Sequence, residues 1–311
     1  MGKLHRPRHG SLQFWPRKRA EKEVPSVNWK ALENSHAKNR LLGFLCYKVG
    51  MKSVLVKDNT QHSMTKGKSI ILPVTIVECP PMKIYSIRFY KNGKVAGEII
   101  SSSLDKELIR KIKMPKLNKG KEIADFDDVR IIAYSVAKKT SIKKTPDLLE
   151  IGLKGNASEK LEFAKSLMNR EIEFEEFFDK NQSVDMHCVT KGHGFSGAVK
   201  RFGIQFRPHK SEKGVRRPGS LGPWHPARVT FMAPMAGQLG FFTRVKYNNK
   251  IINIGKELNE EFLHYGFVKT HYAMIKGSVH GPCKRAVVLT SVLKPTKIAT
   301  KENFEFIKTL K

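Results

Sequence analysis

The stretch RRPGSLGPWHPARVTFMAPMAGQLGFF, residues 216–242, contains no Asp or Glu but four glycines and four prolines. Trp224 follows Pro223 and precedes His225-Pro226. Proline removes a backbone donor and restricts the residue before it, so this segment can neither coil into a helix nor pair as a central strand. Arg216, Arg217 and Arg228 stand in it with nothing of opposite sign in the same stretch. A stiff, basic segment with so little to bury must lie outside the protein's own core, and its charge must be balanced by something else.

The whole chain shares the imbalance. Its 311 residues hold 58 Lys+Arg against 28 Asp+Glu, a formal net charge of +30. Such an excess opposes compaction by self-repulsion and is most easily tolerated against a polyanion. Nucleic acid and an anionic membrane surface are the candidates. The apolar runs, such as IILPVTIV at 70–77, fall far below the roughly 20 residues of a membrane span. MGKLHRPRHG has no apolar h-region, so no secretory signal is expected, and Arg6 stands where myristoylation wants Ser or Thr. The expectation is a cytoplasmic, soluble protein bound to nucleic acid and not to a membrane. Apolar residues make up 40% of the chain, enough for one large or two modest folded domains. Cys46, Cys79, Cys188 and Cys283 form no CxxC pair; they read as small buried hydrophobes, with no metal site and no cofactor expected.

From Leu41 the pattern is β. LLGFLCYKVGMKSVLVKD gives two apolar runs around Gly50 with Asp58-Asn59 as a turn, and KSIILPVTIVECP follows. KIYSIRFYKNGKVAGEII carries Asn92-Gly93 between strand-like flanks, a strong hairpin signal. Residues 102–113 read as a helix with Ser103 as its cap, and DVRIIAYSVAKK at 128–139 returns to strand. Residues 158–180 form an acidic island with helical spacing, suggesting a second lobe over about 80–182. FFTRVKYNNKIINIG reads as a hairpin around Asn248-Asn249, and THYAMIKGSVHGPCKRAVVLTSVL as two strands about a Gly-Pro turn. Strands thus flank the basic segment 191–246, which holds eleven Lys/Arg and one acid, Glu212. It is an excursion from a β domain. Forty residues out and back reach roughly 60 Å as an extended hairpin, well beyond a body whose radius of gyration is about 19 Å.

The tempting catalytic signal is Gly192, Gly194 and Gly197 in GHGFSG, which fits G-x-G-x-x-G after a strand-like run, with Glu212 about 20 residues on. Its context fails, because AVKRFGIQFRPHKSE supplies Gly203 and Pro208 where a dinucleotide fold needs a full helix and then a strand. Glycines that let backbone and phosphate approach closely account for it better. A nucleotide- or RNA-processing enzyme using this loop is the alternative. The positive signal is arginine interleaved with aromatic rings. Arginine forks match phosphate oxygens, and rings stack on splayed bases. The RNA-binding candidates are Arg6, Arg8, His9, Arg17, Lys18 and Arg19 in the N-terminal arm, and Lys191, His193, Lys200, Arg201, Arg207, Lys210, Arg216, Arg217, Trp224, His225, Arg228, Arg244 and Lys246 in the central segment, with Lys284 and Arg285 beyond it. Phe195, Phe202, Phe206, Phe241 and Phe242 interleave with them; Phe231, Phe241 and Phe242 are as readily core residues.

PGSLGPWHPARV (218–229), MAGQLGFFTRVKYNNKIINIG (235–255) and GPCKRAVVL (281–289) resemble the large-subunit ribosomal protein L-three family, and PRHGSLQFWPRKRA with LLGFLCYKVGM resembles its archaeal and eukaryotic branch. The short C-terminus, without a long basic tail, points to an archaeal-type member. The likeness covers essentially the whole chain. It implies a mainly β chain with an α+β insertion: a translation-factor-type β-barrel (41–80, 182–200 and 243–311), an inserted α/β lobe (81–181), a basic N-terminal extension (1–40) and a central finger-like extension (201–242). It implies no catalysis and no small-molecule substrate. The implied partners are large-subunit rRNA, neighbouring ribosomal proteins and, indirectly, elongation factors. The residue matching Trp224 tips a finger near the peptidyl-transferase centre in that family, and the barrel side lies near the sarcin–ricin loop. Gln13 replaces a glycine common in the arm motif, and Glu212 stands where some relatives carry a modifiable histidine, so that modification is not expected.

If the two extensions neutralise on the order of ten phosphates, log affinity for the RNA site falls against log salt with a slope of roughly −7 to −9. A slope of about −2 for the isolated protein would rule out binding through the extensions.

Overall fold

The computed structural model describes residues 13–33, 39–114, 125–140 and 142–310. It is mainly β, with 42% strand and 13% helix. Among the described residues, thirteen strands run β1 (Gly43–Asp58), β2 (Ser69–Glu78), β3 (Met82–Lys91), β4 (Lys94–Ile100), β5 (Asp128–Ser135), β6 (Leu148–Gly152), β7 (Ser183–Val189), β8 (Gly192–Ser196), β9 (Gly237–Gly240), β10 (Thr243–Phe262), β11 (Gly266–Lys276), β12 (Ala286–Ser291) and β13 (Phe304–Thr309). The described residues also form four short helices: α1 (Trp29–Glu33), α2 (Ala157–Leu167), α3 (Ala198–Phe202) and α4 (Lys297–Lys301).

The chain divides into two compact units. The larger comprises Glu23–Cys188 and Arg244–Lys311; the smaller comprises Val189–Thr243 with the N-terminal segment through Lys22. In the larger unit a sheet has the order β12-β7-β10-β11-β2-β1-β13, and β12 also pairs with β1. That extra pairing, Gly43↔Thr290 through Tyr47↔Ala286, closes six strands into a ring, with β13 paired to β1 outside it. β1 is the key element. It pairs with β2 along most of its length, with β12 through its first residues and with β13 through Val54–Asp58 on the same side. A register shift between Lys48 and Gly50 bends it between the two partners. The apolar run AVVLTS of β12 is buried throughout, as a continuous run without alternation requires.

A second sheet, β4-β3-β5-β6, is antiparallel throughout. Asn92 and Gly93 take φ of 49° and 75° between β3 and β4, the two left-handed residues a tight hairpin needs. α2 packs on β5, burying Ala164 and Leu167. Phe44 of β1 meets Phe174 edge-on at 5.2 Å, and Phe174 stacks on Phe178 at 4.9 Å. This aromatic cluster ties the segment after α2 to the closed sheet. Carboxylates hold the cations here: Glu150 accepts from Arg88 and Arg130 at 3.4 and 3.1 Å, and Lys160 donates to Glu33 and Asp128, both at 2.6 Å.

Three expectations are corrected. The helix over 102–113 is a single 3₁₀ turn, Lys106–Arg110, started by Asp105. Only Leu108 is buried there, too little to anchor a longer helix. The helical spacing of 158–180 is α2 alone; Asn169 then takes φ 64°, and a bridge Met82↔Ile172 and a 3₁₀ turn at Phe174–Glu176 follow. β10 runs unbroken through Asn248-Asn249. Asn248 does take a positive φ of 55°, but its N–H donates to Asp185 at 2.7 Å and its side chain to the Lys294 carbonyl at 3.1 Å. The asparagine kinks a long strand and does not reverse it.

Candidate nucleic-acid interface

The smaller unit is built on very little burial. β8 and β9 form a two-stranded ribbon, Gly192↔Gly240 to Ser196↔Gly237. A Cβ on Gly240, whose φ is 71°, would lie 2.0 Å from the Lys191 carbonyl oxygen, so only glycine fits at this crossing. The buried apolar cluster consists of Ala198, Phe202 and Ile204, with Trp15 and Val199 packed against it. Between Phe202 and Gly237 the chain forms no helix and no named strand.

The unit is held instead by two arginines that satisfy one another's backbone. The Arg201 guanidinium donates to the carbonyls of Gln238 at 2.9 Å, Met235 at 3.0 Å and Arg17 at 3.1 Å. Arg17 donates back to the Arg201 carbonyl at 3.2 Å. It lies 4.3 Å over the Phe202 ring and 5.1 Å from that of Trp15, and those two rings stack at 5.7 Å. Cation–π contact and a forked donor set thus join residues 184 apart in sequence. Burial lowers the Arg201 pKa from its ordinary value.

Beyond this knot the excursion is exposed. Trp224 is 86% exposed, Phe195 82% and Phe231 73%, whereas Phe202 is 1%. Phe231 is therefore not a core residue, although its edge meets Trp15 at 6.2 Å, and Phe202 is unavailable for stacking on a base. Phe241 and Phe242 are partly buried. Lys18, Arg19, Lys191, His193, Lys200, Lys210, Arg216, Arg217, His225 and Arg228 are exposed. Arg207 is half-buried and donates to the Pro218 carbonyl at 3.0 Å, and the Arg216 guanidinium lies 5.0 Å from the Phe206 ring. Arg6, Arg8 and His9 lie outside the described residues.

Arg244, Lys246, Lys284 and Arg285 belong to the larger unit. Lys284 is exposed, while Arg285 is half-buried, 4.0 Å from Glu23. Burial lowers the pKa of both Arg244 and Lys246. Lys48 and His280, not singled out by the sequence, join Lys246 around the loop between β11 and β12. The only sequence signal for that loop is its Gly-Pro turn. The glycine motif at 192–197 has no nucleotide-binding geometry: Gly192–Ser196 is a ribbon strand, and α3 after it has five residues where a dinucleotide fold needs a full helix. The enzyme alternative loses its site.

The model of the family described as ribosomal protein L3 matches residues 1–113 and 101–310. The chain belongs to the ribosomal protein L3 family. Among its relatives, the large ribosomal subunit protein uL3 of Archaeoglobus fulgidus is 39% identical over 315 residues, 95% of this chain and 94% of that protein. The uL3 protein of Methanocaldococcus jannaschii is 39% identical over 314 residues, covering 94% and 92% of the two chains. That of Methanococcus aeolicus is 40% identical over 312 residues, with the same coverage. Family membership extends over both units, the excursion and the N-terminal segment included.

The Arg201 knot carries a prediction. Arg201→Lys keeps the charge and loses the fork, so the N-terminal segment should come loose. Trypsin should then cut at Lys18 and Arg19 at least about tenfold faster, the equivalent of losing 1.4 kcal/mol of local protection. Arg217→Lys, at an exposed position, should leave that rate unchanged. Equal rates in both variants would show that the knot does not hold the segment.

Proposed function

We propose that this L3-family chain is a structural, RNA-organising constituent of the large ribosomal subunit, acting in the cytoplasm as part of the ribosome and performing no chemistry of its own. Its closed sheet is a translation-factor-type barrel, the second sheet with α2 is an inserted α/β lobe, and the N-terminal and central segments are extensions that run into large-subunit rRNA. The observation that carries this reading is the exposed path from Phe206 to Met235, in which Glu212 is the one carboxylate. It holds cations and bare aromatic rings that the protein itself does not cover. Phosphates balance the arginines and lysines, and splayed bases cover Trp224, Phe195 and Phe231. The finger tipped by Trp224 lies near the peptidyl-transferase centre, and the barrel side lies near the factor-binding region. Neighbouring ribosomal proteins are direct partners and elongation factors indirect ones. Through these contacts the protein supports subunit assembly and translation.

The test is Trp224→Ala. With the ring 86% exposed, the free protein should keep its stability to within about 0.5 kcal/mol, whereas a buried tryptophan would cost about 3–5 kcal/mol. Large subunits carrying the variant should assemble, because the surrounding cations supply most of the anchoring. They should show altered tRNA binding, antibiotic sensitivity or frame maintenance. Unaltered translation in mutant ribosomes would reduce the finger to scaffolding.

A further inference from the structure

The closed sheet brings two thiols together at one strand pair. Tyr47 of β1 stands opposite Glu78 of β2, so one step further along the antiparallel ladder Cys46 stands opposite Cys79. The Cys79 N–H donates to the His271 carbonyl at 2.6 Å, on the side of β11. A residue of an antiparallel strand turns both its backbone groups to the same side, so those of Cys79 point away from β1. Cys46 and Cys79 are therefore a non-hydrogen-bonded pair, the kind whose side chains stand closest. The Cα atoms of such a pair are typically about 4.5 Å apart, inside the range of roughly 4.4–6.8 Å that a disulfide bridges. The side chains meet: the Cys79 thiol donates to the Cys46 sulfur at 3.1 Å.

Both residues are fully buried in the core of the larger unit. Burial first, and then Cys46 and Glu78, push the Cys79 thiol well above its ordinary pKa, so at pH 7 it is protonated. A buried, protonated thiol is a slow nucleophile, and bulky thiol reagents do not reach it. The fold thus shields the pair from large reagents while holding its two sulfurs in contact. The other two cysteines are placed differently. The Cys188 thiol lies 3.0 Å from the His280 carbonyl oxygen, and that of Cys283, a half-buried residue, 2.9 Å from the Val49 carbonyl oxygen.

We propose that Cys46 and Cys79 are a redox-convertible pair, which hydrogen peroxide, small enough to enter the fold, oxidises to a disulfide that staples β1 to the end of β2. The first sulfur gives up its proton and attacks the peroxide; the O–O bond breaks, and a sulfenic acid and one water form. The second sulfur then displaces the hydroxyl of that sulfenic acid; the S–O bond breaks, the S–S bond forms, and a second water leaves. Two thiols and one peroxide give one disulfide and two waters. Two electrons pass from sulfur to oxygen, and both thiol protons end in water. The link joins positions 33 apart and leaves the strand register as it is. The staple lies wholly within the larger unit, so it stands apart from the rRNA-binding role proposed above.

The test treats the reduced full-length protein with hydrogen peroxide at pH 8, once at 25 °C and once just below its melting temperature, where local opening removes any barrier of access. Remaining thiols are alkylated in denaturant and the chain is cut with trypsin. The peptides spanning 41–48 and 69–83 should appear joined, lighter by two hydrogens and separable by dithiothreitol, with Cys188 and Cys283 in no disulfide. A bulky aromatic disulfide reagent should label Cys283 at least about tenfold faster than Cys46 or Cys79. The oxidised protein should melt at least about 3 °C above the reduced one. Cys46→Ala, compared with itself before and after peroxide, should show neither the joined peptides nor the rise. Recovery of Cys46 and Cys79 as alkylated thiols at both temperatures, once Cys283 has been oxidised, would overturn the proposal. So would a dominant link to another cysteine, or an oxidised protein that melts below the reduced one.

Discussion

Carboxylates are scarce in this chain, and where they are placed decides where it can fold on itself. In the larger unit carboxylates hold several of the deep cations: Arg88 and Arg130 share Glu150, and Lys160 bridges Glu33 and Asp128. Glu78, fully buried, accepts from the Lys269 and Thr270 amides and the Tyr265 and Thr270 hydroxyls. A buried charge is tolerated when it is paired and hydrogen-bonded. Between Lys191 and Lys246 there is only Glu212, and it is exposed. There the guanidinium groups of Arg201 and Arg207 donate to backbone carbonyls. Such contacts fix position through dipoles that carry no net charge. Carbonyls also accept from Lys48 and Lys246 of the larger unit.

That distinction separates a scaffold from a binding surface without recourse to shape. The larger unit closes a sheet and buries rings such as Phe44, Phe174 and Phe178 to 0–1% exposure. The smaller unit has one small cluster around Phe202 and a two-stranded ribbon. A two-stranded ribbon is marginal by itself, and three buried side chains offset little of the entropy of ordering so long an excursion. An account in which RNA supplies the missing counter-charge and the missing contact surface explains why glycine, proline and arginine are tolerated there together.

Local signals were legible in the sequence and non-local ones were not. Asn92-Gly93 marks its hairpin because both residues must take positive φ within the turn itself. Asn248-Asn249 carries a similar local signal and lies inside β10, because the deciding partner, Asp185, is remote in sequence. The β1–β12 pairing that closes the sheet spans from Gly43 to Thr290, and no periodicity encodes it. Within the candidate interface, the basic and acid-poor composition was readable, and so was the exposure of Trp224 between prolines. Phe195 and Phe202 look alike in sequence, yet one is bare and the other lies under Arg17. Trp15 and Arg17, nearly two hundred positions away, make the difference. The loop around His280 was unreadable for the same reason, since its lysines come from β1 and β10.

The central claim is that residues 205–235 are completed by RNA and not by the protein. Hydrogen–deuterium exchange on the free protein and on the assembled large subunit tests it most directly. In the free protein the amides of this stretch should exchange within seconds, while those of β1, β2, β7 and β12 stay protected. In the subunit the same stretch should be slowed by at least about a hundredfold, the effect of roughly 3 kcal/mol of added local stability. Strong protection of 205–235 in the RNA-free protein would mean that the chain folds this segment unaided, and the account would be wrong.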